Sequence, residues 1–245
     1  MKSSKMSTSS SILHTIQANA PMLVVLVDPD KEYYHALCPY LQGVDMVFVG
    51  GSTGGNVDAC VAHLRQSTTA PIVLFPGNAQ QFTSSVDAVL FLTLLNSRRP
   101  EVLIEPHLQS AMAIHQSGVE VIPMGYVLVD GERKSAVEIV SHCTPVGRDA
   151  IDQIVCYALT AQLLGKQLVY LEAGSGAHTP ISLEAIRAVK QQIDIPLIVG
   201  GGICTVEQMS AAFVAGADVV VIGNYFEQHA NELPDFIQYK RNVCR

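Results

Sequence analysis

Eight short runs of Val, Ile and Leu recur at fairly even intervals along 245 residues. They are LVVLVD (23–28), DMVFVGG (45–51), PIVLFPG (71–77), AVLFLTLLN (88–96), EVIPMGYVLVD (120–130), KQLVYLEAG (166–174), PLIVGGG (196–202) and ADVVVIGN (217–224). Apolar and polar residues do not alternate within them. A strand with one wet face alternates, whereas a parallel strand covered on both faces is apolar throughout. Segments of helical spacing lie between most runs. In SLEAIRAVKQQ (182–192), Leu183, Ile186 and Val189 share one stripe. TVEQMSAAFVA (205–215) opens with the capping-box pair Thr205 and Gln208. Residues 147–164 are the longest helical stretch. Eight such units predict a single α/β domain, a (β/α)8 TIM barrel over 11–245, ahead of the rival doubly wound sheet. The connection at 76–86 is too short and polar for a full helix, so one βα unit near strand 3 should be irregular. Residues 130–147 read as a long loop. Residues 1–10 should be a disordered N-terminus, and 11–19 a short helix over the base of the barrel.

Composition narrows the partners. The hydrophobic content of 49% supplies an ample core, and only 15% of residues are charged, with a net charge of −7. That balance argues against a nucleic-acid binder, which carries a basic face. No run reaches the ~18 apolar residues of a membrane span, and the N-terminus lacks a signal core. The expectation is a cytoplasmic protein. Six cysteines are scattered without metal-binding spacing.

In such a barrel, ligands gather at the C-terminal ends of the strands. GGGI (200–203) ends strand 7 before a capped helix, and IGN (222–224) ends strand 8 before another. Glycines allow close backbone approach and helix N-termini favour anions, so the pair predicts a phosphate site that GSG (174–176) would close. Strand 1 ends in DPDK (28–31). Asp30 reads as the cap of a helix from 32, leaving Asp28 and Lys31 facing the mouth. With Ser52 or Thr53 after strand 2, Asp28 would make a Mg²⁺ site that substrate phosphate completes. Glu172, at the end of strand 6, would repel a phosphate. It suits a general base for a ligand hydroxyl, with Tyr170 on the same strand face.

DPDK, VGGST (49–53), FLTLLNSR (91–98), YLEAGSGA (170–177), VGGGI and IGN together resemble the geranylgeranylglyceryl phosphate synthase family, in the family's order across 28–224. YLEAGSGA is the most specific piece, and PMGYVLVDGERKSAV (123–137) resembles bacterial members of the longer-chain branch. The resemblance implies a prenyltransferase forming an ether between the 3-hydroxyl of sn-glycerol 1-phosphate and geranylgeranyl diphosphate, with Mg²⁺ as cofactor. By position, Asp28 and Ser52 would bind the metal. Tyr170, Leu171, Glu172, Ala173, Gly174, Ser175, Gly176, Gly201, Gly202, Gly223 and Asn224 would hold glycerol 1-phosphate, with Glu172 and Tyr170 catalytic. An apolar groove along Phe75, Phe91 and Leu94 would take the prenyl tail. Arg98, Arg99 and Arg148 would contact diphosphate, surface or subunit. The resemblance also favours a homo-oligomer, dimer or hexamer, touching the membrane surface only transiently. Another prenyl length, or an isomerase, epimerase or aldolase on the same phosphate-binding barrel, is the alternative.

Overall fold

The computed structural model describes residues 11–51 and 55–243. Eight parallel strands close in sequence order: β1 Met22–Val27, β2 Met46–Val49, β3 Ile72–Leu74, β4 Ala88–Leu94, β5 Glu120–Leu128, β6 Leu168–Glu172, β7 Leu197–Gly200 and β8 Val219–Ile222. Closure is made by β8 on β1, with Met22 opposite Val219 and Val25 opposite Ile222. The helices are α1 Ile12–Asn19, α2 Tyr34–Leu37, α3 Val57–Ser67, α4 Pro100–Leu103, α5 Glu105–Ser117, α6 Ala136–Ser141, α7 Ile151–Leu163, α8 Leu183–Lys190, α9 Val206–Ala215 and α10 Leu233–Val243. The expected (β/α)8 barrel is therefore present. Residues 1–10 lie outside the described residues, as do Ser52 and Thr53.

The continuous apolar runs follow from two cores. Val24, Phe48, Val73, Leu90, Met124, Tyr170, Ile198 and Val221 fill the barrel. Their strand neighbours, such as Val25, Val47, Val169, Val199 and Val220, pack outward under the helices. Both faces of each strand are dry, which removes any polar alternation. Helix α1 closes the base, burying Ile12 and Ile16 in the barrel core. The Glu120 carboxylate accepts from the backbone N–H of Ile12 at 2.6 Å and of Leu13 at 3.1 Å, an acid on the positive end of α1.

Three aspartates repeat one device at the base. Asp45, Asp87 and Asp218 precede β2, β4 and β8, and each accepts an N–H from the first or second residue of a neighbouring strand. The donors are Leu23, Ile72 and Leu197, all at 2.7 Å. Each aspartate also meets a cation: Lys240 at 2.7 Å, Arg65 at 2.9 Å and Lys190 at 2.6 Å.

One local reading holds and two change. No α-helix follows β3, only a 3-10 turn at Ala79–Gln81, as expected for an irregular unit. The 130–147 loop, however, contains α6, capped by the Ser135 hydroxyl accepting from Glu138 N–H. Asp30 does not cap a helix from 32. That helix begins at Tyr34 with Tyr33 at its N-cap and no side-chain cap. The Asp218→Ala variant should lose about 2–3 kcal/mol of stability in urea unfolding, since a backbone N–H and an ammonium lose their partner. Substrate KM should stay unchanged, because the base lies opposite the mouth.

Candidate functional site

Strand alternation decides which residues of β6 meet the cavity. Leu168 and Tyr170 point inward, so Glu172 does too, at the open end of the strand. Its carboxyl is buried, with 7% exposure. Its Oε1 accepts the Gly174 N–H at 2.7 Å, and the Tyr170 hydroxyl hydrogen-bonds to it from below. Burial pushes the Glu172 pKa above its ordinary value; these two donors pull the other way without cancelling it. Tyr170 is buried beside this acid, so its own pKa rises well above the ordinary phenol value and it stays a hydroxyl.

Two glycines make room for this pair. A Cβ on Gly200 would sit 2.2 Å from the Tyr170 hydroxyl, and one on Gly201 would sit 2.5 Å from Glu172 Oε1. Gly201 also has φ +84°, and Gly202, with φ +72°, lies against the backbone of Thr179 and Pro180. Ser175, Gly176, Gly201, Gly202, Gly223 and Asn224 all line one cavity with Tyr170 and Glu172. The Ser175 hydroxyl donates to Asn224 Oδ1 at 2.7 Å. This is the glycine cradle expected after strands 6, 7 and 8. Helix α9 follows Gly202 with its Thr205–Gln208 capping box formed. After β8 comes a 3-10 turn, Asn224–Glu227, instead of the expected α-helix.

Asp28 lies on the other rim. Its Oδ1 accepts the Asp30 N–H at 3.0 Å and its Oδ2 lies 3.9 Å from Lys31 Nζ. A Cβ on Gly51 would meet Oδ1 at 2.3 Å, so the glycine after β2 lets the two loops close together. Burial raises the Asp28 pKa, against the Asp30 N–H and the Lys31 charge.

The cavity has a volume of about 520 Å³. Beyond the polar rim it continues as an apolar groove over Phe75, Phe82, Phe91, Leu92 and Leu94 to Ile114 on α5. Phe75, Phe91 and Leu94, expected as groove residues, all line it. The groove runs where a helix after β3 is missing, so the irregular unit creates the space.

A family model described as the PcrB family matches residues 15–240. The chain belongs to the PcrB family. It is 44% identical to the geranylgeranylglyceryl phosphate synthase of Zunongwangia profunda, over 88% of this chain and 95% of that protein. The Thermococcus kodakarensis protein of the same name is 42% identical over 83% of both chains. The crystal structure of (S)-3-O-geranylgeranylglyceryl phosphate synthase from Thermoplasma acidophilum, in complex with substrate sn-glycerol-1-phosphate, matches with a TM-score of 0.88 at 30% identity. That match covers 96% of this chain and all of the other. The kinship read from YLEAGSGA and its companions is borne out, and with it the expectation of an enzyme.

Not every expected residue faces the cavity of this PcrB-family barrel. Leu171 and Ala173 are turned outward by strand alternation and packed under the helices, so their side chains face away from the cavity. Gly174 serves through its N–H, which holds Glu172. Of the three arginines only Arg99 lines the cavity. Arg98 donates to Tyr157 of α7 and Arg148 pairs with Glu132 at 3.1 Å. Sequence reasoning passed over Glu227, which lines the mouth and holds Lys31 at 2.6 Å. A lone acid in a polar loop carries no signal of its own.

The Gly201→Ala variant should fold with reduced stability and lose most activity, because its methyl would displace the Glu172 carboxylate. Urea unfolding with turnover measured on the folded protein checks this. Near wild-type turnover would show that Glu172 is held some other way.

Proposed function

We propose that this chain joins sn-glycerol 1-phosphate to geranylgeranyl diphosphate through an ether at the glycerol 3-hydroxyl, releasing diphosphate. One observation carries the reading. A buried carboxylate of raised pKa stands between a glycine cradle on one side and the entrance of a long apolar groove on the other. An isomerase or aldolase on the same barrel has no use for such a groove. The named relatives and the glycerol-phosphate complex of the Thermoplasma protein support the acceptor.

The cradle at Gly176, Gly201, Gly202 and Gly223 offers backbone room and N–H groups to a phosphate. With its phosphate fixed, the acceptor places a hydroxyl against Glu172. The carboxylate takes the hydroxyl proton as the oxygen attacks C1 of the prenyl chain. The bond from C1 to the diphosphate oxygen breaks and the electron pair leaves with diphosphate. Tyr170 orients Glu172, and Phe75 and Phe91 flank the allylic end. Fixing both reactants makes the step effectively unimolecular.

Asp28 fits a Mg²⁺ ion of the kind completed by substrate phosphate. It offers Oδ2 to the mouth, and among the described residues no three acidic, His or Cys side chains converge as in a closed protein cage. Ser52, the other expected ligand, lies outside the described residues. When bound, Mg²⁺ would neutralise charge on the departing diphosphate. Among the described residues no helix is long and apolar enough to cross a membrane.

The test mixes the protein, Mg²⁺ and geranylgeranyl diphosphate with radiolabelled sn-glycerol 1-phosphate or its 3-phosphate enantiomer. Label should enter the organic phase from the 1-phosphate alone. If no prenyl length transfers label, the reading is wrong. Glu172→Gln should slow single turnover by about 10²–10⁴-fold. Asp28→Asn should abolish Mg²⁺-dependent turnover while leaving glycerol-phosphate binding largely intact.

A further inference from the structure

A single side chain joins the two rims of the mouth. Glu227 Oε1 accepts from Lys31 Nζ at 2.6 Å and from Asn224 Nδ2 at 3.0 Å. On the first side lie Lys31 and Asp28, on the rim that the proposed function gives to diphosphate. On the second lie Asn224 and, through its Oδ1, Ser175, on the rim it gives to glycerol phosphate. The run Asp28–Lys31–Glu227–Asn224–Ser175 therefore spans the cavity, and all five residues line it.

We infer that Glu227 is a positioning residue that couples the two substrate subsites. The inference rests on the proposed two-substrate reading. Its argument is one of shared donors and charge. Lys31 is a flexible side chain, 40% exposed, and the ion pair orders it in advance of the anion it would meet, with two ammonium hydrogens still to offer. The same carboxylate fixes the Asn224 amide. With Nδ2 held on Glu227, Oδ1 must face Ser175 and accept its hydroxyl.

The coupling has a definite sign. Removing the Lys31 charge leaves Glu227 as an uncompensated anion beside the phosphate cradle, and it then grips the Asn224 amide harder. The uncompensated charge weakens phosphate binding on the far rim. A direct field from Lys31 on that phosphate would act without Glu227; the coupling inferred here needs it.

Calorimetric titration with sn-glycerol 1-phosphate tests this on wild type, Lys31→Met, Glu227→Gln and the double variant. Lys31→Met should weaken binding about five-fold in the wild-type background, a coupling of the size seen between contacting charges. The same change in the Glu227→Gln background should alter binding less than two-fold. Gln keeps the shape of Glu227 and a partner for Asn224, so it isolates the charge. An equal effect in both backgrounds, or none in either, overturns the inference while leaving the proposed function standing. Failure of the wild-type protein to bind glycerol 1-phosphate at all would overturn both.

Discussion

Burying the Glu172 carboxylate is costly unless donors meet it, and the surrounding sequence is arranged to meet it. The Gly174 N–H reaches its Oε1 because the chain turns at once into the left-handed region at Gly174, with φ +101°. The Tyr170 hydroxyl reaches it because Gly200 has no side chain in the way. Gly201 must also lack one, since a methyl there would strike the carboxylate itself. Gly201, which clears space for Glu172, also belongs to the cradle. The buried carboxylate and the proposed anion site thus share one packing solution, in which two donors orient the carboxylate without cancelling the effect of burial.

The rest of the site depends on an omission. A regular unit after β3 would place a helix outside the barrel, against the outward-facing Leu74 and Phe91. Here a single 3-10 turn stands in its place, and the space passes to the cavity. Helix α5 supplies the outer wall through Ile114, with His107 stacked on Phe91 at 4.1 Å between ring centres. At the base of the barrel, three aspartates tie neighbouring strands together. The aspartate ties lie at one end of the barrel and the ligand space at the other.

The barrel was legible because strands buried on both faces must be written as unbroken apolar runs. The short polar stretch at 76–86 announced the irregular unit for the same reason: it has no apolar stripe to bury. Glu172 stood out because an acid at a buried strand end, directly before the small residues AGSGA, has few structural uses. That the side chains of Leu171 and Ala173 face outward was not legible, because a motif matched as a string hides the alternation of its side chains. Helix α6 was missed because six residues make too little periodicity to see, although Ser135 and Glu138 mark its start. Glu227 was invisible because Lys31, 196 positions away in the chain, is brought to it only by barrel closure between β8 and β1.

The central claim is that a buried carboxylate of raised pKa takes the proton of the attacking hydroxyl. The pH dependence of single-turnover rate, with both substrates saturating, tests it most directly. Glu172 works only when deprotonated, and burial raises its pKa. The rate should therefore fall as pH drops, with a midpoint displaced above the ordinary glutamate value, and Glu172→Gln should remove that limb. A midpoint at or below the ordinary value, or a limb that survives in Glu172→Gln, would contradict the account.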